Sequence, residues 1–145
     1  MKKTAIIFGG AGYIGKNMLA FFLKANAFSK YIICDLNQIQ GYDNEPSVHY
    51  FKLDVRNPIQ LEIGKVDVKG SWIFNFAAIH REPGHDYKEY FDTNIPGAKN
   101  VTEFARETGI QNIFFTSSIA PYGKSINVRT EESNLYPETA YGISK

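Results

Sequence analysis

The sequence predicts a single α/β domain built around a doubly wound parallel sheet. Three observations support this prediction: five short apolar runs read as strands, segments with helical periodicity alternate with them, and the runs are apolar on both faces. Strands of that kind are typical of a parallel sheet that helices cover on both sides. Right-handed crossovers then give the doubly wound order, and 145 residues suffice to bury a core.

Five segments are predicted to form the strands of the sheet. They are TAIIFGG (4–10), YIICD (31–35), SVHYFKLD (47–54), SWIFNFAA (71–78) and NIFFTSS (112–118). Two polar stretches between the elements read as loops, at residues 36–46 and 124–137.

Two helices are predicted from apolar residues at helical spacing. The first runs from Tyr13 to about Ala27, and the second covers residues 87–108, where Gly109 is well placed to end it. Pro96 lies inside the second pattern, so we expect it to kink or locally unwind that helix.

Composition and charge narrow the function classes. Sixteen Lys and Arg residues against fifteen Asp and Glu residues give a net charge of +1, so no excess of charge points to nucleic acid or an anionic membrane. The apolar run in the first strand is too short for a signal peptide or a membrane span. Cys34 is the single cysteine, which suits a reducing cytoplasm and a place in the core.

Glycines at regular spacing follow the first predicted strand. Gly9, Gly12 and Gly15 stand where that strand meets the first helix. Gly9 permits a tight turn, Gly12 lets the backbone approach a pyrophosphate, and Gly15 lets the helix sit close to the sheet. A diphosphate would then lie against the N–H groups at the positive end of the helix. The pattern predicts a dinucleotide-binding turn.

An acidic residue ends the second predicted strand, at the distance from the glycines that such a site requires. The Asp35 carboxylate can accept hydrogen bonds from both ribose hydroxyls of adenosine, and it would repel a 2′-phosphate. The residues that follow, LNQIQ, contain no Arg or Lys to hold such a phosphate. We therefore expect NAD rather than NADP, with a strand-end carboxylate that caps a turn as the alternative role.

A wider set of segments resembles a known family. The segments are FGGAGYIG, IICDLN, KLDV, FNFAA, NIPGAKNV, FFTSSIAPYG and YGISK. In order and spacing, they make the chain similar to the extended short-chain dehydrogenase/reductases, and nearest to their NAD-dependent epimerase/dehydratase branch, which acts on nucleotide sugars. The resemblance implies a Rossmann-type NAD-binding domain over residues 1–145 and, in the full-length form, a homodimer.

The resemblance also implies a catalytic set. Tyr141 and Lys145 are four residues apart, so they share a helix face, and Lys145 would lower the pKa of the Tyr141 phenol. Tyr141 would then remove the proton of a sugar hydroxyl while hydride moves to the nicotinamide. Lys145 would also bond the nicotinamide ribose, and Ser118 matches the position that bonds the reacting hydroxyl. Out of that context, an exposed helical Tyr–Lys pair is the alternative.

Further cofactor contacts follow from the resemblance alone. Asp54 and Val55 match the residues that flank the adenine ring. Asn94, in the second helix, matches a family asparagine, although its side chain could instead satisfy backbone groups freed by the proline. The remaining positions are Tyr13 and Ile14 in the glycine turn, and Phe76, Ala77 and Ala78 under the nicotinamide ribose.

The branch of the family is indicated by the residues after Ser118. The 4,6-dehydratases resemble one another in carrying Thr-Asp-Glu there, whereas this chain has Ile119 and Ala120 after the serine, neither of which transfers a proton. The related decarboxylases carry Glu in place of Ala120. The pattern is closest to the epimerases, in which hydride leaves the sugar to give a keto-sugar and returns after that keto-sugar rotates. A reductase or dehydrogenase of the same family is the alternative.

The loop after the fourth strand departs from the epimerase pattern. His80, Arg81 and His85 stand close together, so Arg81 could meet a diphosphate or a sugar carboxylate, or the loop could simply be solvated. With only Glu82 and Asp86 as nearby acids, we expect no metal site.

The end of the chain carries one more expectation. The resemblance implies a C-terminal substrate region, and nothing in the 145 residues is similar to it. We therefore expect an NAD-binding domain cut within the catalytic helix, with a frayed terminus, because so short a helix barely nucleates unaided. The alternative function is therefore a dinucleotide-binding module without turnover. Binding energy from the non-reacting parts of a substrate normally orients its reacting centre, and that energy would be missing.

Overall fold

The computed structural model describes residues 3–81 and 83–145; Glu82, considered above as a metal ligand, lies outside them. Within these residues there are five strands, all parallel, in the order β3-β2-β1-β4-β5. This order confirms the predicted doubly wound sheet. The strands are β1 (Thr4–Phe8), β2 (Lys30–Asp35), β3 (Val48–Lys52), β4 (Trp72–Asn75) and β5 (Asn112–Phe115).

The register brings the carboxyl ends of the strands to one edge. Phe8 at the end of β1 pairs with Cys34 on one side and Asn75 on the other, and Asn75 pairs with Phe115. Each strand except β2 ends before the segment that was predicted for it. The difference is two residues in β1 and β3 and three residues in β4 and β5. The residues that follow are therefore loop, and they are free to line a site at this edge.

The core lies on the two faces of the central strands. One face packs Ile6, Phe8 and Ile73 against the second long helix, and the other packs Ile7 and Phe74 against the first. All five residues of β1 are buried. The apolar transfer energy of such side chains, about 1.5–3 kcal/mol each, is the main force holding the helices to the sheet.

Two of the predicted buried strands are half-exposed instead. In β3, His49 and Phe51 are exposed, and in β5 so are Ile113, Phe114 and Phe115. Both strands stand at an edge of the described sheet, where one side lacks a neighbouring strand. The expectation that helices cover every strand on both faces is therefore wrong for β3 and β5, although their apolar composition predicted it.

Cys34 lies in the core, as the sequence predicts. It is 1% exposed at the end of β2. Burial, with a smaller contribution from the neighbouring charge of Asp35, raises the pKa of the Cys34 thiol to about 12. The thiol is therefore neutral and unreactive at neutral pH.

The helices are α1 (Tyr13–Lys24), α2 (Tyr87–Thr108) and, near the C-terminus, α3 (Ala140–Ser144), with a 3₁₀ turn at Ala120–Tyr122. α1 ends three residues earlier than predicted. The N–H groups of Asn26 and Ala27 donate to carbonyls of its last turn, and Asn26 has a φ of 49°, a conformation that ends a helix. Among the described residues, no helix is long and apolar enough to cross a membrane.

The second long helix has the predicted bounds. A capping box between Asp86 and Glu89 begins α2, and Gly109 ends it in the left-handed conformation at a φ of 73°. α2 is continuous through Pro96, so the helix does not unwind there, and the other expected effect, a kink, stays a prediction. The predicted loops at 36–46 and 124–137 contain no helix or strand.

Candidate active site

A cavity of about 610 Å³ opens at the carboxyl edge of the sheet. Its walls come from the glycine turn, from the residues that follow β2, β3, β4 and β5, and from α3. Such a position, where the strand order reverses around β1, is where doubly wound sheets bind ligands. The walls are mainly apolar, with a few polar groups at fixed positions, as in small-molecule sites generally.

The glycine turn is packed too tightly for side chains. Gly9 has a φ of +73°, and a Cβ there would lie 2.6 Å from the Ala77 nitrogen. At Gly15 a Cβ would lie 2.5 Å from the Gly10 Cα, whereas at Gly12 it would meet only the Gly9 oxygen at 3.2 Å. The first and third glycines therefore allow packing of the turn against β4 and of α1 against the turn. Gly12, at the N-cap of α1, leaves the helix N-terminus open to the cavity.

Asp35 holds the glycine turn from the end of β2. One carboxylate oxygen accepts the Ala11 N–H at 3.0 Å, and the other accepts the Asn37 N–H at 3.0 Å. Each carboxylate oxygen keeps a further lone pair, so the group can still accept a ribose hydroxyl. Asp35 lines the cavity together with Gly9, Gly12, Tyr13, Ile14 and Gly15, which brings the predicted turn residues to one place.

The segment after β3 lines the opposite wall. Asp54 and Val55 both face the cavity, and Asn100 of α2 donates a hydrogen bond of 2.8 Å to the Val55 carbonyl. Gly97 allows this approach, because a Cβ there would lie 2.9 Å from a Val55 methyl group. Helix α2 therefore supports the segment that is predicted to flank adenine.

Arg56 is a cavity residue that the sequence reasoning missed. Its guanidinium binds the Asp54 carboxylate, with Nε 2.9 and 3.0 Å from the two oxygens and a terminal nitrogen 2.6 Å from one of them. These hydrogen bonds lower the pKa of Asp54 below its ordinary value. The signal was available in the motif Asp-Val-Arg, because a turn brings residues two apart together.

The turn after β4 is held by backbone bonds and by a buried amide. The Phe76 N–H donates to the Phe8 carbonyl at 2.9 Å, and the Asn75 side chain accepts the Ala77 N–H at 3.1 Å. Phe76, Ala77 and Ala78 line the cavity, as the resemblance implies for residues under the nicotinamide ribose. Asn75, 4% exposed, is a supporting residue that was not singled out.

Asn94 supports the site from behind rather than lining it. Its amide oxygen accepts the Ile79 N–H at 2.8 Å, while its nitrogen donates to the Ile79 carbonyl at 3.0 Å and to the Ser144 hydroxyl at 2.8 Å. Asn94 is 6% exposed and is not among the cavity residues. It therefore joins α2, the loop after β4 and α3. This arrangement favours the structural role for Asn94, and a direct cofactor contact stays a prediction.

Tyr141 and Lys145 both line the cavity from α3. Thr139 begins this helix by accepting the Gly142 N–H at 3.0 Å, and the bond from Asn94 to Ser144 attaches it to α2. The expectation of a frayed terminus is thus wrong, because capping and tertiary contacts stabilise a helix that could not form alone.

Lys145 is half-buried beside an aromatic ring. Its Nζ lies 4.5 Å from the centroid of the Phe115 ring, at the end of β5. Burial lowers the pKa of Lys145 below its ordinary value, although the ring favours the charged form.

Ser118 is not among the residues that line the cavity; Thr116 and Ser117, which precede it, are. The Ser118 hydroxyl accepts the Ala120 N–H at 3.1 Å and so begins the 3₁₀ turn. Its catalytic role stays a prediction. The Thr116 hydroxyl is buried and has no hydrogen-bond partner among the residues that the structure describes, a feature that the sequence did not reveal.

The loop after β4 divides into two parts. His80 lines the cavity, whereas Arg81 does not, and the Arg81 carbonyl accepts the Tyr90 hydroxyl. His85 lies 3.0 Å from a Glu89 carboxylate oxygen, beside the capping box of α2. Within residues 3–81 and 83–145, no group of His, Cys, Asp and Glu side chains could hold a metal ion.

Comparison with protein families gives one match over nearly the whole chain. The sequence model of the NAD dependent epimerase/dehydratase family matches residues 5–145. This range includes the glycine turn, Asp35 and the Tyr141–Lys145 pair.

Individual proteins similar to this chain include two enzymes and a solved structure. A UDP-glucose 4-epimerase of Lacticaseibacillus casei is 32% identical over 147 residues, which cover 98% of this chain and 44% of the relative. A UDP-N-acetylglucosamine 4,6-dehydratase (inverting) of Campylobacter jejuni is 30% identical over 124 residues, 81% of this chain and 36% of the relative. The structure of the UDP-Glc/GlcNAc 4-epimerase from Campylobacter jejuni gives a TM-score of 0.78 at 26% identity, over 99% of this chain and 46% of the other. The chain thus spans less than half the length of these proteins.

Proposed function

The chain belongs to the NAD dependent epimerase/dehydratase family, and we propose that it forms the cofactor-binding and catalytic part of an NAD-dependent nucleotide-sugar epimerase. The observation that carries the proposal is the convergence, around one cavity, of the glycine turn, Asp35 and the Tyr141–Lys145 pair. These groups come from distant parts of the sequence, and the parallel sheet brings them to one edge, where together they supply the parts of a dinucleotide site.

The residues present fit a dinucleotide. The glycine turn has no room for side chains at Gly9 and Gly15, which leaves backbone N–H groups facing the cavity at the start of α1. Gly12, Tyr13 and Ile14 would hold the diphosphate, Asp35 the adenosine ribose, and Asp54 and Val55 the adenine. Phe76, Ala77, Ala78 and Lys145 would hold the nicotinamide ribose. NAD supplies the hydride acceptor and donor when it is bound.

The chemistry of the protein itself is proton transfer at a sugar hydroxyl. Tyr141 would take the hydroxyl proton on its phenolic oxygen as the carbonyl forms and return it when the carbonyl is reduced. Ser118 would bond the same hydroxyl, which requires its own hydroxyl to reach the cavity from the 3₁₀ turn.

The residues after Ser118 favour epimerisation over dehydration. Ile119 is 86% exposed and Ala120 lies in the 3₁₀ turn, and neither side chain can give or take a proton. A reductase or dehydrogenase of the same family is the second candidate, since it would need the same Tyr141 and Lys145.

Homodimerisation is part of the proposal. Tyr87, Phe91 and Ile95 lie at intervals of four on α2, and Tyr87, Ile95 and Ile143 of α3 are all exposed. An apolar stripe across two adjacent helices suits a twofold helical interface. A cytoplasmic location is also proposed, supported by the reduced, buried Cys34.

The test is turnover by the protein encoded by the whole reading frame that contains these 145 residues. We expect it to interconvert a UDP-hexose and its 4-epimer, detected by proton NMR, with NAD retained rather than consumed. Net formation of NADH with an oxidised sugar would favour the dehydrogenase instead. The 145 residues alone are expected to give no epimer, because the remote binding energy for the sugar nucleotide is missing.

The choice of dinucleotide is tested separately, by calorimetry on the 145-residue chain. We expect NAD to bind at least about tenfold more tightly than NADP, because the Asp35 carboxylate repels a 2′-phosphate. Lys52 pairs with Asp35 in the sheet register but does not line the cavity, so its charge is not placed to offset this repulsion.

Asp35→Asn should narrow that preference, whereas Asp43→Asn, an exposed carboxylate in the following loop, should leave it unchanged. Equal affinity of the unchanged chain for the two dinucleotides would contradict the role given to Asp35.

A further inference from the structure

Arg56 has no place in the functional roles described so far, yet it lines the cavity beside the residues proposed to flank adenine. Its side chain is 52% exposed, and its guanidinium makes its contacts with the carboxylate of Asp54, two residues earlier. An exposed ion pair of this kind contributes little to stability, about 0–1 kcal/mol. A structural explanation of Arg56 is therefore weak, and its position points to the ligand.

The contacts fix the Asp54 carboxylate in one orientation. The Arg56 Nε lies within 3.0 Å of both oxygens, a terminal nitrogen lies 2.6 Å from Oδ2, and the Arg56 backbone N–H donates to Oδ1 at 3.0 Å. A planar guanidinium with several donors sets the plane of a carboxylate, which a lysine cannot do. Asp54 keeps 21% of its side chain exposed at the cavity wall.

The backbone beneath this pair is fixed as well. The Leu53 N–H donates to the Asp35 carbonyl at 3.0 Å, the Asn57 N–H donates to the Asp54 carbonyl at 3.1 Å, and Asn100 holds the Val55 carbonyl. The pair therefore sits on a rigid support, and rotation of the Asp54 side chain is the freedom that Arg56 removes.

An ionised carboxylate only accepts hydrogen bonds, and it has about four lone-pair sites. The edge of adenine carries an exocyclic amino group, which donates, whereas hypoxanthine carries a carbonyl oxygen at the same position. A carboxylate held in one orientation can thus distinguish the two bases. The low pKa of Asp54 keeps this acceptor ionised over a wide range of pH.

We propose that Arg56 is a positioning residue that orients the Asp54 carboxylate to accept a hydrogen bond from the amino group of adenine, and so gives the site its preference for an adenine dinucleotide. The inference rests on the proposed function, because it takes NAD as the occupant of the cavity.

The experiment compares two ligands by calorimetry on the 145-residue chain: NAD and nicotinamide hypoxanthine dinucleotide, which differ at the base alone. The unchanged chain should bind NAD at least about tenfold more tightly, the value of one hydrogen bond to a charged group. Arg56→Ala should reduce this ratio to less than about threefold, mainly by weakening the binding of NAD. Arg56→Lys should not restore it, because a point charge does not set the carboxylate plane.

Two controls separate orientation from general damage. Arg129→Ala removes an arginine that stacks on Tyr136, outside the cavity lining, and should leave both affinities unchanged. In an Asp54→Asn background, the change Arg56→Ala should alter the ratio by less than about twofold, since the group that it orients is already lost. Circular dichroism of each variant checks that the chain is folded.

Each outcome has a distinct meaning. If Arg56→Ala weakens both dinucleotides equally, Arg56 contacts the base or supports the wall and the proposal is wrong. If the unchanged chain binds both ligands equally, Asp54 does not read the amino group, and the proposal is again wrong. If the unchanged chain binds neither ligand, the proposed cofactor site itself fails, a result separable from the other two.

Discussion

Replacing Tyr141 with phenylalanine is expected to lower the rate of hydride transfer by about 100-fold or more, the usual contribution of a positioned acid–base group. The measurement is made on the protein from the whole reading frame, as single-turnover reduction of bound NAD by a UDP-hexose, followed by absorbance at the wavelength of NADH. The affinity for NAD should change little, because phenylalanine preserves the ring that lines the cavity wall.

The expectation has a physical basis in α3. The helix is capped by Thr139 and attached to α2 through Ser144, so loss of one hydroxyl leaves the backbone and Lys145 where they are. Tyr136→Phe is the matched control, because it also removes one tyrosine hydroxyl. Tyr136 is 57% exposed in the preceding loop, so this change should leave the rate of hydride transfer unchanged. If Tyr141→Phe keeps more than about a tenth of the rate, another group is the base, and His80 becomes the candidate.

Replacing Gly9 with alanine is expected to destabilise the fold by about 2–5 kcal/mol, the sum of a left-handed conformation and overpacking. Gly9 has a φ of +73°, and the new Cβ would lie between 2.6 and 2.8 Å from backbone atoms of Phe76 and Ala77. Backbone cannot move aside as a flexible side chain can, so β1 and β4 would have to separate at the cavity edge.

Gly64→Ala is the control that isolates the clash. Gly64 has nearly the same φ, +69°, with nothing within 4 Å of its Cβ position, so this change should cost only the conformational part, about 1 kcal/mol. Both variants are measured by urea unfolding followed through the fluorescence of Trp72, the single tryptophan, which lies in β4. Equal destabilisation by the two changes would show that crowding at the turn is unimportant.

The sequence predicted what depends on local periodicity and spacing. The doubly wound parallel sheet, both ends of α2 and the loops at 36–46 and 124–137 followed from apolar patterns, turn residues and the rules for parallel crossovers. The site residues came from the glycine pattern and the family resemblance, and their roles stay predictions, although several of these residues meet at the cavity. The glycine turn, Asp35, Asp54 and Tyr141 all line it.

Most of what the sequence missed depends on contacts between distant residues. The attachment of Asn94 to Ser144 spans 50 positions, so neither residue carries a local signal, and with that bond the short helix α3 is stabilised rather than frayed. The exposure of β3 and β5 depends on their place at the sheet edges, which the composition of an apolar run does not encode. Two further misses are local, because the Ser118–Ala120 bond and the Asp54–Arg56 pair each join residues two positions apart, and a closer reading of turn signals could have found both.

The three hydrogen bonds of Asn94 have a consequence for thermal motion at the cavity. One buried amide ties the loop at Ile79, the long helix α2 and the helix that carries Tyr141, so these segments must fluctuate together. Displacement of the loop relative to the Tyr141 phenol would break the hydrogen bonds of Asn94. Because Asn94 is 6% exposed, water would not replace them. The conformational entropy of the loop and of α3 is then lost when the chain folds, so Ile79 and Tyr141 hold their relative positions before any ligand binds.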